Sequence, residues 1–204
     1  MALLQRKRVI LIETESGGAD ASSSIGATDA VQVIDLSITP QSSDVVNRDL
    51  VRPYFGASEQ LLANTKVECS FSVELAGSGT PGTAPRYSKA LKACGLNEVV
   101  SGGNTVTYTP KSSGIDTVTI HYNILHKAIN CRGNATISAE VGSIPRIDFV
   151  FTGEYVAPTD AALPTITYGD QATPLIFKNG NTTGFQFLSY AGLLQSVTMD
   201  LGNT

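Results

Sequence analysis

Alternation of apolar and polar residues most constrains how this chain can fold. Val67-Glu68-Cys69-Ser70-Phe71-Ser72-Val73-Glu74-Leu75 puts Val67, Cys69, Phe71 and Val73 on one side and Glu68, Ser70, Ser72 and Glu74 on the other. Thr117 to Leu125 sets Val118, Ile120, Tyr122 and Ile124 against Thr117, Thr119, His121 and Asn123. Ala135 to Val141 and Arg146 to Val156 repeat the pattern through Ile137, Ala139 and Val141, then Ile147, Phe149, Phe151 and Tyr155. A period of two describes strands with one buried and one wet face. Central strands of a parallel sheet would instead read as continuously apolar. Only one stretch reads as a helix, roughly Pro85 to Cys94, stopped by Gly95. The fold expected is therefore mainly β: an antiparallel sandwich or barrel with one short flanking α-helix. A charged fraction of 16%, a hydrophobic fraction of 42% and no Trp fit a turn-rich β domain better than a helical bundle or a disordered chain. Its 204 residues suffice for one such domain.

Along the chain, Arg8 to Glu15 reads as a first strand and Ser16 to Thr28, rich in Gly, Ala and Ser, as a loop or flexible arm. Val31 to Thr39 is a strand that Pro40 should end. Gln41 to Asn64 then forms a long connection without periodicity. It carries apolar residues (Val45, Val46, Leu50, Val51, Tyr54, Phe55, Leu61, Leu62) and charges (Asp44, Arg48, Asp49, Arg52). Such a loop either docks on another surface or folds as an Ω-loop over its own domain. After Thr105 to Pro110 and the strands above, Val156 to Pro164 is an extended linker. Thr173 to Lys178 and Gly184 to Leu188 are β-like, and Ser196 to Asn203 closes on a strand pattern. The whole is read as a single domain, 1–204, with an N-terminal strand and arm over 1–30, the long loop over 41–64 and a C-terminal extension over 165–204.

The chemical motifs are weak. Gly77-Ser78-Gly79-Thr80-Pro81-Gly82 matches the dinucleotide-binding GxGxxG pattern between a strand and a helix. One short helix cannot supply the repeated crossovers of that fold, and Ala84-Pro85 delays the helix beyond the last glycine, so a mobile turn is expected. His121 and His126 are the two histidines; no GxSxG elbow accompanies them, and both read as solvated. Cys69, Cys94 and Cys131 are too widely spaced for a zinc site or disulfide framework and read as small buried hydrophobes in a reducing compartment. No metal or cofactor is expected. The net charge of -4 and the brevity of Arg6-Lys7-Arg8 give no basis for gripping nucleic acid. The apolar run Val9 to Ile12 is too short for a signal peptide and is followed by Glu13 and Glu15; no apolar run reaches the ~20 residues of a membrane span. The acidic residues Glu68, Glu74, Glu140, Asp148 and Glu154 all fall on polar strand faces. They make either an ordinary solvated sheet or the wall of an acidic channel, which would repel DNA phosphates and let them pass without sticking.

From about Arg48 to Pro164 the chain resembles the tail tube (major tail) proteins of long-tailed, non-contractile bacteriophages. The resemblance lies in the order and spacing of Arg52-Pro53-Tyr54-Phe55-Gly56, the strand Val67 to Leu75, the Gly-rich turn with Pro85, Lys92-Ala93-Cys94-Gly95-Leu96, Val106-Thr107-Tyr108-Thr109-Pro110, Cys131-Arg132-Gly133-Asn134-Ala135 and Phe151-Thr152-Gly153-Glu154-Tyr155, with Ser196 to Asn203 similar too. It implies a structural virion protein, not an enzyme, assembled in the host bacterial cytoplasm. Hexameric rings would stack into a hollow tube around a tape-measure protein, meet tail terminator and distal tail or baseplate proteins at the ends, and pass DNA through the lumen without specific binding or any membrane contact. It makes the long loop an inter-subunit element, with Arg48, Asp49, Arg52, Tyr54 and Phe55 as its contact residues. Glu68, Glu74, Glu140, Asp148 and Glu154 become candidates for the lumen. It also leads one to expect more sequence after Gly202-Asn203 and gives no role to Ser16–Thr28. The alternatives are a tube protein of a contractile tail or secretion machine, and a capsid-decoration or adhesin β-sandwich.

Overall fold

The alternating runs become the strands of one curled antiparallel sheet in the computed structural model, which describes residues 8–18, 20–123, 126–160, 162, 164–169, 171–181, 189 and 192–203. The elements are β1 (Ile10–Thr14), β2 (Ala30–Val31), β3 (Ile34–Asn47), β4 (Gln60–Glu74), α1 (Ser88–Ala93), β5 (Leu96–Ser101), β6 (Thr105–Pro110), β7 (Val118–Tyr122), β8 (His126–Glu140), β9 (Arg146–Tyr155) and β10 (Ser196–Asp200). The main sheet runs β2-β1-β7-β8-β9-β4-β3, with β10 added beside β8; β5 and β6 pair as a separate hairpin. The result is mainly β, antiparallel, with one short helix, as the alternation requires. Gly184 to Leu188, Ile124, Leu125, Arg6 and Lys7 lie outside the described residues.

The sheet folds over itself because β8 is broken by a bulge. Its pairing with β9 shifts between Ile129 and Arg132, where Asn130 takes a positive φ of 53°. The first half of β8 pairs with β7, and the second half, Thr136 to Glu140, pairs with β10. Ile10, Ile12, Val118 and Ile120 thereby reach the same core as Val67, Cys69, Phe71, Val73, Ile147, Phe149 and Phe151. Phe71, Phe149 and Phe151 form its centre, with ring centroids 5.3 to 5.8 Å apart, the spacing of offset aromatic contacts. Gly153 is needed here: a Cβ on it would lie 2.4 Å from Cys131 Sγ. Helix α1 caps this core with Ala90, Leu91 and Ala93, and Tyr87 Oη donates to Ala76 O at 2.8 Å, tying the end of β4 to the helix.

Four expectations need correction. The helix covers only Ser88–Ala93, because the chain from Pro85 first makes a turn closed by Ser88 N on Pro85 O at 2.9 Å. Pro40 does not end its strand, and Gln41–Asn64 is not a long loop: β3 continues to Asn47 and β4 begins at Gln60, leaving residues 48–59 as the turn of a long hairpin. Pro40 survives inside β3 because β3 is an edge strand and its register shifts between Thr39 and Ser42, so the missing N–H interrupts no ladder. His121, expected in solvent, is buried because the described residues of Ser16–Thr28 form a strap across the outer face of β7. Ala21 N donates to Thr119 Oγ1 at 3.1 Å, Glu15 Oε1 accepts from Thr119 Oγ1 at 2.7 Å and from Asn130 N at 2.8 Å, and Ile25 packs on a small cluster of Val9, Leu11 and Ala30.

Candidate functional site

Two surfaces stand out: the far half of the β3–β4 hairpin and the wet face of the strands that follow it inward. The hairpin outruns its neighbour. The last β4–β9 pair is Lys66 with Glu154, whereas β3 and β4 stay paired out to Asn47 with Gln60. The six residues Gln60 to Thr65 therefore project roughly 20 Å past the body at ~3.3 Å per strand residue. Register shifts at Thr39/Ser42 and Ser42/Asp44, with Asn64 at φ 50°, twist the arm relative to the sheet.

Beyond the last shift, Val45 pairs with Leu62 and Val46 with Leu61. Adjacent residues of a strand point to opposite faces, so both faces of the arm are apolar, and all four side chains are exposed. At the tip Leu50 and Tyr54 are exposed, and Val51 and Phe55 are as open as in an extended chain. Arg48 pairs with Glu59 across the turn at 3.1 Å, Arg52 lies 5.8 Å above the ring of Tyr54, and Asp49 is exposed beside them. The tip thus gathers Arg48, Asp49, Arg52, Tyr54 and Phe55. What the residue pattern did not disclose is that Val45-Val46 and Leu61-Leu62 form a two-sided apolar stalk. The signal for it was two apolar dipeptides placed symmetrically about a polar turn.

On the sheet, register places all five predicted acids on one face. Glu68 lies opposite Thr152, Glu74 opposite Arg146, Asp148 opposite Ser72 and Thr136, and Glu154 opposite Lys66; Glu140 follows two residues after Ser138 on the same side. Asp200, opposite Thr136, joins them. Lys66, Lys127, Arg132 and Arg146 are the cations on this side, so carboxylates outnumber cations six to four among the described residues of β4, β8, β9 and β10. Lys66 holds Glu68 at 2.9 Å, Arg146 reaches Asp35 at 3.8 Å, and Ser72 Oγ donates to Asp148 at 2.5 Å. The Asp200 carboxyl is held below the ordinary range by the Asn134 amide, which donates to it at 2.6 Å, and by Gly202 N. The face is a ladder of short hydroxyls with carboxylates spaced through it.

The residues that follow β10 are built into the body. After β10, Leu201 N donates to Ala135 O at 3.1 Å, and Asn203 N to Asn134 Oδ1 at 3.2 Å. Asn203 Nδ2 reaches Cys94 O, an open carbonyl at the C-terminus of α1. Gly95 (φ 79°) leaves the space for it: a Cβ there would sit 3.2 Å from Asn203 Nδ2.

The remaining motifs resolve into structure. In the Gly77–Gly82 turn, Ser78 Oγ donates toward Thr80 O (2.9 Å) and Thr83 O (2.8 Å), and Gly82 lies so close to the Gly103 backbone that a Cβ would come within 2.7 Å. The helix that follows starts only at Ser88, so its N-terminus does not face the turn. His121 Nε2 lies 3.2 Å from Ser22 Oγ, but Ser22 gives its proton to Asp20 and accepts from Lys127 Nζ at 3.1 Å, so the imidazole meets the oxygen as a donor, the reverse of nucleophile activation. Cys69, Cys94 and Cys131 are free and buried; burial pushes the first two thiols up to about 12 and the third higher still. No cluster of three or more His, Cys, Asp or Glu able to hold a metal occurs among the described residues, and no helix there is long and apolar enough to cross a membrane.

Comparison with known families matches residues 6–204 to the model described as phage tail tube protein. No curated protein matches the chain.

Proposed function

Because the chain belongs to the phage tail tube protein family, and so is a structural component of the virion tail, we propose that it self-assembles into hexameric rings stacked as a hollow tube. The tube surrounds a tape-measure protein during assembly, is closed by terminator and distal tail or baseplate proteins, and conducts DNA at ejection. The observation that carries this reading is the arm: an apolar two-faced stalk with an apolar tip, exposed on a single subunit. Exposed apolar surface of that extent marks a protein interface. An arm that seats on a different patch of its neighbour makes a heterologous contact, the kind that propagates into rings or filaments. The arm carries Arg48, Asp49, Arg52, Tyr54 and Phe55 into a neighbouring subunit or ring.

The second element is the wet face. Glu68, Glu74, Glu140, Asp148 and Glu154 line the lumen in this reading. A wall on which carboxylates outnumber the cations disfavours phosphates along its length. The long non-contractile tail follows from the resemblance alone; a sheath gene beside this one would move the protein to a contractile machine.

Negative-stain microscopy of the purified protein at rising concentration tests the assembly, with rings and hollow tubes as the expected result. A strictly monomeric protein at every concentration, together with antibody label on the head and none along the tail of virions, overturns it in favour of a decoration protein.

A further inference from the structure

Resting on the ring reading above, we infer which sheet edges meet between neighbours and in what direction: β10 of one copy joins β3 of the next, as parallel strands. Among the described residues, β3 hydrogen-bonds only to β4 and β10 only to β8, so each presents an unpaired edge. Unpaired edges are templates for another strand.

The β3 edge is usable over a short run. A register shift between Ile34 and Ser37, with Asp35 at φ 54°, interrupts it on one side. Pro40, without an N–H, interrupts it on the other. Leu36, Ser37, Ile38 and Thr39 remain between. The β10 edge supplies five residues, Ser196–Asp200, a comparable length.

The faces also match. Leu36 and Ile38 are half-buried against the core. Val197 and Met199, opposite Ala139 and Ile137, lie on the core side of β10 and are left exposed. On the other side stand Ser37 and Thr39, and Ser196 and Thr198. Joining the edges sets apolar residues beside apolar residues and short hydroxyls beside short hydroxyls, which is what fixes strand pairing where one face is buried.

Direction follows from strand parity. The run β3-β4-β9-β8-β10 has five strands, and every adjacent pair is antiparallel. The two outer strands therefore point the same way. Rotation about a ring axis preserves strand direction along that axis, so β10 meets the next β3 in parallel. A two-fold axis would instead pair β3 with β3, antiparallel, and close a dimer.

Stagger supplies the last condition. One hydrogen-bonded row runs Asp200–Thr136–Asp148–Ser72–Ile34. On a flat sheet Ser196 to Met199 would fall short of Leu36 to Thr39. The edges meet only when successive copies are offset along the strands, as in a closed barrel whose strands tilt by about 35–45°.

Disulfide trapping tests the joint. Ser37→Cys and Thr39→Cys would each be combined with Ser196→Cys, Thr198→Cys and Asp200→Cys, with single-cysteine variants as background against the buried native thiols. In assembled tubes under mild oxidation, cross-linked ladders up to a closed ring are expected, and the preferred partner should advance along β10 in moving from Ser37 to Thr39. A partner that recedes or fails to advance, or tubes that form normally and never cross-link, overturns the parallel joint while leaving the tube intact. Failure of the wild-type protein to form any ring or tube overturns the assembly reading itself, and this joint with it.

Discussion

Replacing the two most exposed apolar residues of the arm tip, Val51→Ser with Phe55→Ser, separates folding from assembly. Both side chains are fully open on the subunit, so the double change should alter folding stability by no more than about 0.5 kcal/mol per site. That corresponds to roughly 1–4 °C in Tm for a domain of this size. Buried against a neighbour, each side chain would contribute about 1.5–3 kcal/mol, so the double change costs the contact about 3–6 kcal/mol as an upper bound. At about 1.4 kcal/mol per factor of ten, the concentration needed for assembly should rise by about 10²- to 10⁴-fold. Thermal unfolding of dilute subunits by circular dichroism reads the first quantity; sedimentation and negative-stain microscopy across a concentration series read the second. Tubes that appear at the wild-type concentration would refute the arm as an inter-subunit element. A Tm drop well beyond that range would mean that the tip packs on its own domain instead.

Other expectations follow from the body of the subunit. Gly153→Ala should destabilise by about 1–3 kcal/mol through overpacking, because the new Cβ meets Cys131 Sγ at 2.4 Å and Ile129 O at 3.0 Å; chemical denaturation should show the loss partly reversed by adding Cys131→Ala, which removes only the first of these contacts. His121 is held below its ordinary value of 6.5 first by burial and then by the Lys127 charge, against the opposing pull of Asp20. The folded state therefore prefers the neutral ring, and the contribution of His121 to stability is complete above pH 6.5 and is lost as pH falls below it. Tm against pH should accordingly flatten below pH 6.5 in His121→Gln. The three buried thiols should stay unreactive toward a thiol reagent at pH 8 in the native protein and react fully after denaturation, since burial keeps them protonated.

What could be read from the residues depended on whether alternation survived. Arg146 to Tyr155 alternates with Val150 as the apolar exception on its polar side, and β9 occupies that range. The side of the sheet that carries Glu68, Glu74, Glu140, Asp148 and Glu154 was legible for the same reason, because parity fixes it. Which side faces a lumen was not, since that depends on other copies. The β3–β4 arm was hidden because Pro40, two register shifts and Asn64 disrupt the period where the strands lengthen. The first half of β8 was hidden by the bulge at Asn130. Leu96-Asn97-Glu98-Val99-Val100-Ser101 does not read as a strand because adjacent valines break the period; it is paired all the same, with Val99 opposite Thr107 and Val100 opposite Val106. The burial of His121 is tertiary: its strand face reads as polar, and only the strap laid over it removes the water.

The reach of β4 has a mechanical meaning. One strand runs from the apolar stalk, through Lys66, to the centre of the core, and nine consecutive residues from Lys66 to Glu74 are paired with β9. A load applied at the tip along the strand axis therefore acts on that ladder in shear. Its hydrogen bonds must fail together rather than peel one after another, and Phe71 and Val73 anchor the strand among buried side chains. If subunits stack through their arms as proposed, tension between them would be delivered to this ladder in each one, and such a column would flex at its twisted stalks while its walls stay intact.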